Sequence, residues 1–313
     1  RSVPAANQWK NEVRFWERHQ ARKDSLIGGH DPLLGWDHNA ARERIRGSQT
    51  IVEKADAIRI VAIGDSFTYG NEVADNENFS ALLDADPELQ VLNMGVPGFG
   101  IGQAYLKYRH FGARHNPDVV LFGIYVDDYE RASVQFTSAA KPGFAVTDNK
   151  LVVLGQPVPT PDEQLARIAE SLEQRVFIVD AVKNLWRKAR TGEATQRAFF
   201  ANTDQVIAKI LGNLRDSLNS QQKLLIVHIP RATSFTDEAD PFRQIMGEHL
   251  LAIYQRLGLS YVDLGAGFRN GTSEREVFAN YYVHRPSGSV GHLSPHGHLA
   301  AAVLIRTALA SAI

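Results

Sequence analysis

Short apolar, β-branched runs alternate with amphipathic stretches along most of this chain, and that alternation leaves few folds open. The runs are Ile58–Ile63, Gln90–Met94, Asp118–Tyr125, Leu224–Ile229 and Tyr261–Leu264. Helical patterns lie between them, at Phe79–Leu83, Ile101–Arg114, near 204–219 and near 241–257, and a last one runs from about 295 to 312. A strand that returns to pair in parallel needs a long crossover, usually a helix. Runs this continuously apolar are buried on both faces. The pattern predicts an α/β fold with a mainly parallel five-stranded sheet between helical layers. The chain has 313 residues, 44% of them hydrophobic, which is ample for such a core.

The rhythm is interrupted twice. Residues 7–22 interleave Trp9, Val13, Phe15 and Trp16 with charge, as an amphipathic helix does, and the turn-rich Asp31-Pro32-Leu33-Leu34-Gly35-Trp36-Asp37 follows. Residues 1–54 therefore read as a lead-in packing on a domain that spans 55–313. Between about 130 and 200, strand and helix signals give way to Lys141-Pro142-Gly143, Asp148-Asn149 and Gly155-Gln156-Pro157. A hairpin from Phe144–Val146 to Leu151–Leu154 and a helical stretch over 162–190 are expected there, as an insertion or cap over the sheet. Arg187, Lys188, Arg190 and Arg197 read as a solvated helix face.

Composition narrows the partners. With 34 basic and 35 acidic residues the formal charge is −1, which points away from nucleic acid or an anionic membrane as the main partner. The chain has no cysteine, which excludes disulfides, thiolate metal sites and cysteine nucleophiles. No apolar run approaches the ~20 residues of a membrane span. The chain starts at Arg1 rather than Met. Any membrane anchoring would come through a segment absent from it.

Three places carry chemistry. In open α/β sheets, ligands bind outside the carboxyl ends of the strands, and Gly64-Asp65-Ser66 ends the first strand. Ser66 is either a nucleophile or a turn and capping serine. A hydroxyl attacks only when a base and an oxyanion site serve it. Asp65 reads as a loop organiser that accepts backbone N–H bonds. Asn93-Met94-Gly95-Val96-Pro97-Gly98-Phe99-Gly100 follows the second strand, with spacing unlike a dinucleotide fingerprint. A free N–H at Gly98 would join that of Ser66 in an oxyanion site; the other reading is an ordinary tight turn.

His292-Leu293-Ser294-Pro295-His296-Gly297-His298 precedes the last helix. Ser294 suits the N-cap and Pro295 the first helical position. His292 is expected in the loop ahead of that helix N-terminus, whose positive end disfavours the imidazolium and leaves a ring able to accept a proton. His296 and His298 point to different sides of the helix, with no acidic residue in the motif. They read as surface or packing residues rather than metal ligands. Asp127 and Asp128 end the third strand, either at the edge of a site or as turn caps. His228, near the end of the fourth strand, reads as a core or rim histidine more readily than as a cleft residue.

Together these pieces resemble the SGNH hydrolases, the superfamily of GDSL-type esterases and acyltransferases, over roughly residues 55–312. Gly64-Asp65-Ser66-Phe67-Thr68-Tyr69-Gly70 matches the first block. Asn93-Met94-Gly95-Val96-Pro97-Gly98 matches the block whose glycine helps to form the oxyanion hole. His292–His298 matches the last block, which carries the general base. Asp31–Trp36 resembles bacterial members that act outside the cytoplasm. The resemblance implies a three-layer α/β/α, flavodoxin-like fold. It implies Ser66 as nucleophile, His292 as base and the N–H groups of Ser66 and Gly98 as oxyanion donors, with no metal and no cofactor. It further implies an O-acyl or O-acetyl ester of a small molecule or polysaccharide as substrate, an acyl-enzyme, and a periplasmic or secreted setting.

Two departures make a second reading, a degenerate domain that binds a glycan or a protein. The family's third block offers an Asn side chain to the oxyanion, where Gly123-Ile124-Tyr125-Val126-Asp127-Asp128 has Asp127. That carboxyl donates a hydrogen bond only when protonated, a state that burial and a neighbouring Asp128 favour. The family's triad acid stands three residues before the histidine, where this chain has Ser289. A backbone carbonyl, Ser289 or a remote acid would then orient the ring.

Overall fold

The computed structural model of the chain describes residues 29–37, 54–137, 139–164, 166 and 193–312. Two short strands, β1 (Gly29–Asp31) and β2 (Gly35–Asp37), pair antiparallel at the start. The main sheet then collects β3 (Ile58–Ile63), β4 (Leu89–Asn93) and β5 (Val119–Tyr125). A hairpin of β6 (Gly143–Thr147) and β7 (Lys150–Leu154) intervenes before β8 (Lys223–Ile229) and β9 (Ser260–Asp263). A last antiparallel pair, β10 (Tyr282–His284) and β11 (Val290–Leu293), follows. The five main strands run parallel in the order β4-β3-β5-β8-β9. This is the flavodoxin-like order, in which the chain reverses direction across the sheet beside β3.

Successive residues of a strand face opposite sides, so an unbroken apolar run feeds two cores at once. On β5, Val120, Phe122 and Ile124 join one core while Val119 and Leu121 join the other. Val61 and Ile63 divide from Ile60 and Ala62 on β3 in the same way. The second core is covered by α2 (Phe79–Asp84), α7 (Leu264–Arg269), α8 (Glu274–Tyr281) and α9 (Pro295–Ala312), while α1 (Ser66–Tyr69) opens the site. The first core is covered by α3 (Ile101–Lys107), α5 (Glu193–Asp216) and α6 (Pro241–Arg256), and α4 (Asp128–Arg131) follows β5.

The helix expected over 101–114 is not uniform. After α3 the chain passes through a π turn at Tyr108–Gly112 and a 3-10 turn at Ala113–His115, and Asn116 ends it in the left-handed region just before Pro117. The helix expected near 204–219 reaches back at least to Glu193, the first described residue of this stretch. Helices α7 and α8 and the β10–β11 pair are absent from the sequence reading because each is short and buries few residues; in α8 only Val277 is buried.

The described part of the lead-in packs on α3. Lys107 Nζ and Asp37 Oδ1 form a buried ion pair at 2.8 Å, and Gln103 Nε2 donates to the Leu34 carbonyl at 2.8 Å. The amphipathic stretch at 7–22 lies outside the described residues. In the inserted region, Asp148 and Asn149 both take positive φ, as a two-residue hairpin turn requires. The Phe144 ring fills the space that a side chain at position 102 would need, so the hairpin lies against α3 as well as α5. Most of the helix expected at 162–190, with Arg187, Lys188 and Arg190, lies outside the described residues.

Candidate active site

The turn from β3 into α1 sets the nucleophile. Gly64 has φ +153, and a Cβ there would come within 2.5 Å of the Gly123 carbonyl and 2.2 Å of Thr68 Oγ1. Only a residue without a side chain lets strand and helix approach so closely. Asp65 is the N-cap: its Oδ1 accepts from the Phe67 N–H at 2.9 Å. Ser66 thus becomes the first residue of α1, just beyond the carboxyl end of β3. Gly70 closes α1 with φ +82.

His292 lies on β11, not in a loop. It pairs antiparallel with β10 in a separate two-stranded sheet, and β11 contacts α1, the helix that carries Ser66. The Ser66 hydroxyl donates to His292 Nε2 at 2.9 Å. The imidazole also packs on Phe67, at 4.8 Å between ring centroids, and Phe67 stacks on Tyr125 at 4.3 Å. On its other side, Nδ1 meets Glu72 Oε2 at 2.6 Å, and the His292 backbone N–H donates to the same oxygen at 2.9 Å. An ionised carboxylate only accepts hydrogen bonds. Nδ1 therefore carries the proton, and Nε2 is the nitrogen free to take one from Ser66.

Glu72 is held from behind. Arg285 Nε and Nη2 donate to its two oxygens at 2.6 and 2.9 Å. Partial burial pushes its carboxyl up, but the hydrogen bonds from Arg285 and from His292 outweigh this and bring it down to about 2. Two local features make room for the arrangement. Glu72 itself sits at φ +71, a conformation that is strained for a residue with a side chain and is seen at functional sites. A Cβ on Gly291 would lie 2.3 Å from Glu72 Oε2, so a side chain there would displace the carboxylate from the histidine.

Glu72 was not singled out from the sequence, and Ser289 does not orient the histidine. Ser289 lies in the β10–β11 turn, where its hydroxyl pairs with that of Ser287 at 2.8 Å and its carbonyl accepts from the Arg285 N–H at 3.0 Å. The residue facing Nδ1 comes instead from the turn after the nucleophile helix. In the sequence, Glu72 is one acidic residue among several in a polar stretch; no spacing rule separates it from a solvated surface carboxylate.

The glycine loop after β4 is a type II turn. The Phe99 N–H donates to the Val96 carbonyl at 3.2 Å, Pro97 occupies the second position and Gly98 the third, with φ +80. A Cβ on Gly95 would lie 2.5 Å from the Tyr69 nitrogen, so the loop is pressed against α1. Among the described residues, neither the Ser66 N–H nor the Gly98 N–H donates to another group.

Asp127 does not act as an oxyanion donor in this geometry. Arg231 Nη1 donates to both of its oxygens, at 2.8 and 2.6 Å, and Arg243 stands 3.6 Å away. A carboxylate gripped by guanidinium groups accepts hydrogen bonds. Asp65 and Asp128 are buried around Arg131, whose Nη1 lies 2.7 Å from Asp128 Oδ1, 3.6 Å from Asp65 Oδ2 and 3.0 Å from the Phe99 carbonyl oxygen. Burial pushes both carboxyls above the usual range, Asp128 further, with Arg131 opposing. Their part is to hold the end of β5 and the glycine loop around one partly buried guanidinium.

The other histidines singled out from the sequence pack against neighbouring elements. His228 is buried on β8, edge-on to Tyr254, and burial lowers its ring to about 4. His298 is buried and accepts from the Phe79 N–H at 3.2 Å; His296 lies beside the Tyr281 ring. Ser294 caps α9 by accepting from the Gly297 N–H at 3.1 Å. Among the described residues, no three His, Cys, Asp or Glu side chains converge as a metal site, and no helix is long and apolar enough to cross a membrane.

The serine after the first sheet strand, the glycine turn after the second and the histidine ahead of the last helix meet at one edge of a 2-1-3-4-5 parallel sheet. The fold is a flavodoxin-like α/β sandwich, with a parallel sheet between two helical layers. No protein-family model and no curated protein matches the chain. It is similar to several solved structures. One is an α/β hydrolase enzyme from the metagenome of Lake Arreo, Spain, at 17% identity and TM-score 0.46, covering 81% of this chain and 95% of that one. Another is a member of the lipolytic G-D-S-L family from Veillonella parvula, at 12% identity and TM-score 0.45, covering 80% and 97%. A third is an acetylxylan esterase from Geobacillus stearothermophilus, at 14% identity and TM-score 0.45, covering 82% and 96%.

Proposed function

We propose that the chain is a serine esterase or acyltransferase of SGNH type, working through an acyl-enzyme on Ser66. The observation that carries this reading is the hydrogen-bonded chain from Ser66 through His292 to Glu72. Ser66 Oγ attacks the ester carbonyl carbon while His292 Nε2 takes the hydroxyl proton. The carbonyl electrons move to oxygen, and the N–H groups of Ser66 and Gly98 receive the oxyanion. Collapse expels the alcohol oxygen, which takes the proton from Nε2, and the acyl group stays on Ser66. Water or a sugar hydroxyl then attacks, with Nε2 again as base.

General acid–base transfer of this kind contributes about 10²–10⁴ in rate, and an oxyanion donor about 10²–10³. Glu72 stabilises the imidazolium formed in each attack and keeps the ring in the useful tautomer. A carboxylate behind the histidine answers the missing triad acid, one of the two departures behind the degenerate reading, and supports the catalytic one. The substrate class, an O-acyl or O-acetyl ester on a glycan or small molecule, and a periplasmic or secreted setting are carried by the sequence resemblance.

The test is chemical labelling. A fluorophosphonate and p-nitrophenyl acetate are each incubated with the protein and with Ser66→Ala and His292→Ala. Wild type is expected to take the phosphonate at Ser66 and to turn over the ester, and both variants to lose both activities. Neither labelling nor turnover anywhere between about pH 5 and pH 9 would refute the proposal.

A further inference from the structure

We propose that Trp36, in the lead-in segment, is a positioning residue that latches the Pro97–Gly98 peptide in the orientation the oxyanion site needs. This rests on the reading of Gly98 as an oxyanion donor. Trp36 lies on β2 and is 2% exposed. Its indole Nε1–H donates to the Pro97 carbonyl at 3.0 Å. The same ring lies over Gly98, where a Cβ would be 3.4 Å from Trp36 Cζ2, and meets Phe99 edge-on at 5.8 Å.

The Pro97 carbonyl and the Gly98 N–H belong to one peptide unit. In a trans peptide the two point in opposite directions. A donor fixed on the carbonyl side therefore fixes the direction of the N–H on the other. This peptide is also the central one of the type II turn, and it is the unit that can rotate. Turning it by about half a revolution converts type II to type I and carries Gly98 from positive to negative φ. Glycine tolerates both, and proline at the second position suits both. Pro-Gly leans toward type II without excluding the flipped turn.

The indole chooses. In the flipped turn the Gly98 N–H would face Trp36 Nε1–H, and an indole nitrogen is a donor only. Two donors would oppose each other, and the Pro97 carbonyl oxygen would face the developing oxyanion in place of an N–H. In the observed turn the bond at the carbonyl also polarises the peptide and strengthens its N–H as a donor. Trp36 is itself held in place. Asp37 pairs with Lys107 at 2.8 Å, the Leu34 carbonyl accepts from Gln103 at 2.8 Å, and β2 pairs with β1. A residue that precedes the glycine loop by 61 positions is thereby built into the site.

The discriminating variant is Trp36→3-benzothienylalanine, which keeps the bicyclic shape and replaces only the N–H. Two readouts are taken: the Gly98 amide ¹H–¹⁵N signal, and kcat and KM for p-nitrophenyl acetate. The expected result is a shifted or split Gly98 signal, kcat down by about tenfold or more, and KM within about twofold; the loss stays below the ~10²–10³ of removing a whole donor. An unchanged Gly98 signal overturns the latch whatever the rate. A moved signal with unchanged kcat overturns its role in the reaction. A wild-type protein that is never acylated, with the signal still moved in the variant, would sink the esterase reading and leave the latch standing.

Discussion

Replacing Glu72 by glutamine keeps the length and shape of the side chain and removes its charge. Arg285 Nε donates to Oε1, while Arg285 Nη2, the His292 N–H and His292 Nδ1 all converge on Oε2. A glutamine amide has one acceptor oxygen. Placed at the Oε2 position, that oxygen keeps the bonds to His292 and sets the NH₂ against Arg285 Nε alone. The tautomer that leaves Nε2 free is then preserved, and the loss is one of charge. An imidazolium and a carboxylate centred roughly 4 Å apart attract by about 4 kcal/mol at an effective dielectric constant of 20. That corresponds to about 10³ in rate. The Arg285 cation, no longer neutralised beside the imidazolium, moves the cost toward the ~10⁴ found when a triad acid becomes an amide. Glu72→Gln should therefore lower kcat/KM for p-nitrophenyl acetate by about 10³–10⁴, slow phosphonate labelling in parallel, and leave the circular dichroism spectrum unchanged. Ser289→Ala and Ser289→Asp should stay near the wild-type rate, because Nδ1 already has its partner. A Glu72→Gln enzyme within about tenfold of wild type, or an equal fall in Ser289→Ala, would refute the reasoning.

Two pH predictions accompany it. Arg285→Gln removes two hydrogen bonds from Glu72, so its carboxyl rises from about 2 and is ionised only at higher pH; the acid limb of the kcat/KM profile should move upward. In the wild type the folded value lies below the unfolded ~4.3, so this carboxylate's contribution to stability is full above that value and is lost as pH falls toward 2. Thermal melts from pH 3 to pH 7 should accordingly show a flatter acid decline in the variant. Lys141 is buried, with Nζ donating to the carbonyls of Val134 and Pro142. Burial, with Arg131 adding to it, lowers its amine to about 7. The unfolded chain then binds more protons between about pH 7 and pH 10, so stability rises with pH across that window. Lys141→Met should lack that rise in Tm while carrying a constant cost for its two unmet carbonyls.

Much of the fold is legible in the chain because its signals are local. An unbroken run such as Ile58–Ile63 announces a strand buried on both faces, and the observed strand bounds differ from the expected ones by about a residue. Asp148-Asn149 and Ser294-Pro295 state their turn and cap within a few residues, since backbone dihedrals and capping bonds span no more than that. Ser66, Gly98 and His292 stand out for the same reason: each sits at the end or start of a regular element.

The partners of those residues are a different matter. Glu72 and His292 are 220 positions apart, Glu72 and Arg285 are 213 apart, and Asp127 and Arg231 are 104 apart. Nothing near Ser289 in the sequence says that its expected role has passed to a carboxylate beside the nucleophile. The packing of β11 against α1 decides that, and with it whether His292 has an acid behind it. The same holds for Trp36, whose hydrogen bond holds one of the two turn conformations open to Pro97-Gly98. The sequence by itself determined the sheet, its burial on both faces, the strand-end serine and the glycine turn, because period, propensity and turn chemistry act over a few residues. Only the tertiary structure decided which acid serves the histidine and which way one peptide points, because a hydrogen bond of under 3 Å between distant segments exists only once the whole sheet has closed around it.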